Sequence, residues 1–227
     1  MPTVNILGHP FSSYWLMFFI GVVGMAIICC ARAKRYRLTL FQAVSFSLML
    51  TVSGLVGTKL LYVLENWEET LRDGLTLGGQ SFFGALFLVP FAVALFGKVF
   101  RLHPLESMDL SAPPVIFILM CMRIGCMMNG CCGGIWCGTF QIPAQFLEAT
   151  VDAIIFVYLL YIENSERGKN KLYPLLMFFY GIARFFLEFI RDTTKDWAGM
   201  SHGQWFSLIA IGVSIVWLLV EKRKVKL

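Results

Sequence analysis

Arginine keeps its charge at any pH a cell meets, so a span that carries one through an apolar run must also supply its partner. Two positions raise that demand: Arg123 in VIFILMCMRIGCMMNG and Arg184 in YGIARFFLEFIRD. An isolated cation at the centre of a bilayer costs at least about 3 kcal/mol on insertion scales, so each should face protein, water or an anionic ligand. Glu188 lies four residues after Arg184 and Tyr180 four before it, which puts all three on one helical stripe. Glu148, in PAQFLEA, and Asp152 one turn later are further acids for the bundle interior. Two chemistries stay open. The charges can be a salt-bridge network that ties spans together, or the two guanidinium groups can hold an anion, since their planar fork matches a lipid phosphate in bidentate fashion. Lys59 can join such a site or snorkel to the surface.

Beside Arg123 the sequence RIGCMMNGCCGG brings a cluster of thiols: Cys121, Cys126, Cys131, Cys132 and Cys137. A disulfide joining Cys131 or Cys132 to Cys137, inert packing, and a reactive thiolate activated by Arg123 all remain open. A zinc site completed by His202 ranks last, because the C-x-x-C spacing of ordinary zinc ligands is absent. His202 is either an ordinary interfacial histidine or an acid–base group, given that imidazole titrates near neutrality. Cys29 and Cys30 read as packing or lipid-facing residues. The glycines of NGCCGG and GGQSFFG suit either close helix packing or the approach of backbone N–H groups to a headgroup.

These residues need a scaffold, and the composition states which. The chain is 58% hydrophobic and 15% charged, against about half and a quarter in soluble domains. An all-α integral membrane protein follows. Apolar runs predict about seven transmembrane helices near residues 11–32, 40–64, 83–98, 107–127, 143–162, 172–190 and 203–220. None shows the alternation of an outer-membrane barrel. The second, fourth and sixth should be irregular, because they contain Lys59, Pro113 with Pro114 and Arg123, and Arg184 with Glu188. Thirteen Lys and Arg fall in or beside one set of connections, and Arg72, Arg191 and Lys195 in the other. The basic set is therefore cytoplasmic, with the N-terminus outside and the C-terminus inside. The same pattern explains the net charge of +5 by topology rather than by nucleic acid. Residues 66–83 read as an interfacial or re-entrant segment. With no basic n-region ahead of the first apolar run, the 227 residues are expected to form a single multi-span domain, 1–227.

The order and spacing of GTKLLYVL, GGQSFFG, RIGCMMNGCCGG, IPAQFLE, YGIARFFLEFIR and GQ resemble the prolipoprotein diacylglyceryl transferase family across most of the chain. The resemblance implies an enzyme of the bacterial plasma membrane with its active site at the outer face. It implies transfer of a diacylglyceryl group from phosphatidylglycerol, or a related anionic phospholipid, to the cysteine thiol of a secreted lipoprotein precursor. Tyr14, Arg123, Gly125, Asn129, Gly130 and Gly134 match family positions, as do Pro143, Gln145, Glu148, Tyr180, Gly181, Arg184, Glu188, Arg191, Gly203 and Gln204. There are departures. Where the family has the histidine of GGxSFHG this chain has Phe83, and an asparagine and a glutamate of the loop are Cys126 and Cys131. The chain thus looks like a divergent paralogue.

Under this resemblance Arg123 and Arg184 would hold the lipid phosphate, Glu148 and Glu188 would orient them, and His202 would take the acid–base role. Tyr14, Ser81, Asn129, Gly130, Gly134, Gln145, Tyr180 and Gln204 would bind substrate. No metal and no organic cofactor is called for. Two rivals belong to other classes: a lipid-binding or assembly protein that kept the phosphate site, and a small transporter of anionic lipid. The sequence does not speak to oligomeric state.

Overall fold

The computed structural model describes residues 3–6, 9–74, 81–165, 168–193 and 198–224. A hairpin of β1 (Thr3–Ile6) and β2 (His9–Ser12) leads into α1 (Ser13–Arg32) and α2 (Leu40–Glu65). A short α3 (Trp67–Asp73) follows, then α4 (Phe82–Phe100) and α5 (Pro104–Asn129). A two-stranded ribbon of β3 (Trp136–Cys137) and β4 (Phe140–Gln141) precedes α6 (Ala144–Ile162), α7 (Leu172–Leu187) and α8 (His202–Lys224). Seven of these helices are long and apolar enough to cross a membrane, as the sequence predicts. Of the segment 66–83, residues 67–73 form α3, while 75–80 lie outside the described residues.

Large apolar side chains point away from the bundle, as lipid contact requires. Phe19, Val23 and Ile27 on α1, and Leu48, Val52 and Val56 on α2, are exposed at helical spacing. Helix association in lipid depends on close packing, and the α2–α4 crossing shows how close: a Cβ on Gly57 or on Gly84 would collide with the other's backbone. Helix α5 is the axis of the bundle, packed on α1, α4, α6 and α7.

The fourth span differs from expectation. Pro113 and Pro114 do not break α5, which is helical from Pro104 to Asn129. Proline has no N–H, so these two leave the carbonyls of Asp109 and Leu110 without their helical donors. The Arg32 guanidinium supplies both, donating to Asp109 O at 3.0 Å and Leu110 O at 2.6 Å. Its remaining capacity goes to Glu163 at 2.5 and 2.9 Å, and the Tyr36 hydroxyl donates to the same carboxylate at 2.7 Å. The Asp109 carboxylate accepts from the N–H groups of Asn170 and Leu172, at 2.5 and 2.8 Å. One cation thus joins α1, α5 and the end of α6, far from the residues singled out for chemistry. The sequence reading counted Arg32 only as a topology charge.

Arg32→Ala would leave two carbonyls buried without their donors and Glu163 with only Tyr36 and the more distant Arg35, a loss on the order of 3–5 kcal/mol. Arg32→Lys should restore only part, because an ammonium cannot reach both carbonyls and the carboxylate. Thermal unfolding in detergent micelles measures this; an unchanged midpoint for Arg32→Ala would contradict the assignment.

Candidate functional site

At the end of the bundle opposite Arg32, the starts of α1, α4, α6 and α8 meet the ends of α2, α5 and α7. The loop after α5 builds the rim. Gly130 caps α5 in the left-handed region at φ 68°, and Cys132, a non-glycine residue, turns the chain again at φ 60°. The chain then zips onto its neighbours. Gly134 N–H donates to Ile142 O at 2.9 Å and Ile135 N–H to Ile190 O at 2.9 Å. Gly134 pairs with Arg191, and any side chain there would meet Ile190 O at 2.5 Å. That pairing holds Arg191 against the site after α7 tightens into the 3-10 turn Glu188–Ile190.

Glu148, buried on the first turns of α6, is the centre. Its carboxylate takes Arg123 Nε at 2.6 Å, an Arg184 terminal nitrogen at 2.6 Å and one of Arg191 at 2.7 Å. Arg184 also reaches Glu188 at 2.9 Å, the i, i+4 pair expected from the sequence, and Arg191 Nε stands 3.7 Å from the same acid. The Ser201 hydroxyl donates to Glu188 at 3.0 Å, and Gly203 lies so close that a Cβ would meet that carboxylate. Three guanidinium groups therefore converge on two carboxylates. Arg123, Glu148, Asp152, Tyr180 and Arg184 enclose a cavity of about 10 Å³, the space of one water. Asp152 is buried beside it, with Oδ2 lacking a hydrogen-bond partner among the described residues.

The other expected residues divide. Tyr14 packs over Gly125 and lies near Arg123 and Cys126. Gln145 donates to Cys131 O at 2.5 Å, and Asn129 hydrogen-bonds the Cys131 thiol. Tyr180 lies between the arginines and the rings of Phe82 and Phe83, edge-on to the first and tilted to the second. Phe83 is buried among Phe87, Tyr180 and Phe206. Gln204 accepts from Ser201 N–H at 3.1 Å while Ser201 Oγ accepts from Gln204 N–H at 3.3 Å, a reciprocal cap on α8 rather than a lining group. Ser81 donates to Glu65 at 3.3 Å, and the exposed His202 bears electrostatically on Glu65. Lys59 lies over the Tyr62 ring at 4.8 Å. Arg191 belongs to the cluster although the sequence reading left it out of the catalytic set. Its spacing of three from Glu188 was the available signal.

The thiols differ from the disulfide expectation. All seven cysteines are free, with Cys137 exposed on β3. The sulfurs of Cys126, Cys131 and Cys132 all lie within 4.8 Å of one another, a grouping without His202. The Cys132 thiol is held well below its ordinary range, to about 5, chiefly by hydrogen bonding from Cys126 and then by the charges of Arg123 and Arg191, against burial. Burial pushes its neighbour Cys131 up. A depressed pKa means that Cys132 stays a thiolate as pH falls from 9 to about 5. In reduced, chelator-treated protein, iodoacetamide at pH 6 to 7 should therefore modify Cys132 well before Cys131. Peptide mass spectrometry reads the order; equal or reversed labelling would contradict it.

Comparison with known proteins bears on this site. A family model described as prolipoprotein diacylglyceryl transferase matches residues 2–220. The phosphatidylglycerol–prolipoprotein diacylglyceryl transferase 2 of Clostridium perfringens is 24% identical, covering 97% of this chain and 94% of its own length. A similarly named transferase of Dehalococcoides mccartyi is 24% identical over 94% of this chain and 90% of its own. That of Streptococcus agalactiae is 22% identical over 95% and 94%. With seven spanning helices and a match along nearly its whole length, this chain belongs to the prolipoprotein diacylglyceryl transferase family of membrane enzymes.

Proposed function

We propose that the protein transfers the diacylglyceryl group of phosphatidylglycerol to a cysteine thiol of a lipoprotein precursor, at the outer face of the bacterial plasma membrane. The observation that carries this reading is the convergence of Arg123, Arg184 and Arg191 on Glu148. A phosphodiester carries one negative charge and the departing glycerol phosphate gains another. Guanidinium groups fixed beforehand stabilise that added charge more in the transition state than in the ground state. Before lipid arrives, Glu148 is the anion that keeps the three arginines together. A phosphate that displaces part of Glu148's hold, widening what is now a water-sized cavity, takes over some of their N–H donors, while Glu188 keeps Arg184 aimed. The charge asymmetry of the connections supports an outward-facing position for this end of the bundle.

The test uses the full chain in vesicles with phosphatidylglycerol labelled in its acyl chains and a peptide carrying a lipobox cysteine. Label should appear on the peptide. Arg184→Ala and Arg123→Ala should each lower turnover by about a hundredfold or more. Glu188→Gln should raise KM and lower kcat more mildly, since it acts through Arg184. Lipid binding without transfer would replace the enzyme by a binding protein, and lipid movement between leaflets by a transporter. His202→Ala at full turnover would remove that side chain from the acid–base role.

A further inference from the structure

Alkylating a thiol needs the acceptor as its thiolate, so the site must draw off the proton. The carboxylates of Glu148 and Glu188 are both engaged by guanidinium groups. What stands next to Arg123 instead is the group of three thiols. Cys126 forms the buried floor on the last turn of α5, Cys131 is half-buried and Cys132 is exposed, so the group is closed below and open above. The backbone is shaped to gather them. Gly130 turns the chain so that Cys131 N–H donates to Cys126 O at 3.1 Å, and Cys132 takes a positive φ of 60°, a strained conformation for a non-glycine residue. Gln145 fixes Cys131 from α6 by its bond to the carbonyl.

We propose that Cys126, Cys131 and Cys132 are the three protein ligands of a thiophilic divalent cation, zinc(II) in kind, whose fourth position takes the acceptor thiol. Tetrahedral metal–sulfur bonds of about 2.3 Å place the sulfurs about 3.8 Å apart. From separations within 4.8 Å, each need move inward by only about 0.6 Å. Three thiolates on a divalent cation leave one net negative charge, and Arg123 and Arg191 lie close enough to Cys132 to offset it. Three protein ligands with an open position is the arrangement of a catalytic rather than a structural zinc site. An incoming thiol bound there loses its proton to water at the open side. The catalytic half of the proposal rests on the transferase reading. In it, the acceptor sulfur forms a bond to the terminal glycerol carbon of the diacylglyceryl group as that carbon's bond to the phosphate oxygen breaks. The electron pair leaves on glycerol phosphate, held by the arginines, and the neutral thioether product leaves the metal.

Cobalt(II), titrated without oxygen into the reduced full-length protein in detergent, reports the site through thiolate charge-transfer and tetrahedral ligand-field absorption. One equivalent should bind and be displaced by zinc. Cys126→Ser, Cys131→Ser and Cys132→Ser should each weaken binding by about tenfold or more, with Cys137→Ser unchanged. A cysteine-containing acceptor peptide should shift the ligand-field bands, and its serine counterpart should not. No cobalt uptake, uptake retained when all three are serine, or bands that ignore the thiol peptide would overturn the proposal. The two readings fail separately. A folded triple-serine variant that transfers lipid at the wild-type rate sinks the metal alone, whereas a protein that takes up cobalt and the peptide thiol but transfers no lipid sinks the transferase.

Discussion

One carboxylate facing three guanidinium groups is the constraint on which the outer end of this protein depends. Glu148 sits on α6, Arg123 on α5, Arg184 on α7 and Arg191 just beyond it. None of these four charges is stable alone in a low-dielectric bundle, so their pairing fixes how three elements meet. It also leaves the arrangement short of negative charge among its direct ion pairs, with Glu188 as the second carboxylate. Three guanidinium groups held around two carboxylates, beside a water-sized cavity, set this cluster apart from a single salt bridge that joins two helices.

The opposite end of the bundle obeys the same rule with a different result. There Arg32 restores hydrogen bonds that Pro113 and Pro114 remove from α5, and Glu163 and Tyr36 complete its shell. Every donor of consequence is matched by a fixed acceptor within the protein, so that arginine reads as structural. Both clusters touch α5, and its unbroken course through two prolines carries Arg123 and Cys126 to the rim of the site. The proline carbonyls near one end and the site at the other are thus parts of one mechanical element.

How much of this the sequence disclosed follows from the range of each interaction. Spans were legible because lipid imposes a length and a composition that need no tertiary partner. The Arg184–Glu188 pair was legible because four residues make one helical turn. Glu148 was recognisable as an interior acid, but nothing local says that it would serve three arginines. Arg191 was placed among the outer charges, since its position depends on Gly134 pairing with it across a loop. Arg32 could have been deduced: two adjacent prolines announce two carbonyls in need of donors. For the thiols the sequence left a disulfide, packing and a reactive thiolate open, because nothing local says that the turns at Gly130 and Cys132 bring Cys126 to its neighbours without C-x-x-C spacing. Ser81, His202 and Gln204 were carried by motif alone, and their contacts lie with Glu65 and with the cap of α8.

The central claim is that the three arginines exchange Glu148 for a lipid phosphate. The most direct measurement is a structure of the protein in a phosphatidylglycerol bilayer, determined by electron cryomicroscopy. The account expects the phosphate oxygens at hydrogen-bond distance, about 2.7–2.9 Å, from guanidinium nitrogens of at least two of Arg123, Arg184 and Arg191. A headgroup bound elsewhere, with all three arginines still closed on Glu148, would contradict it.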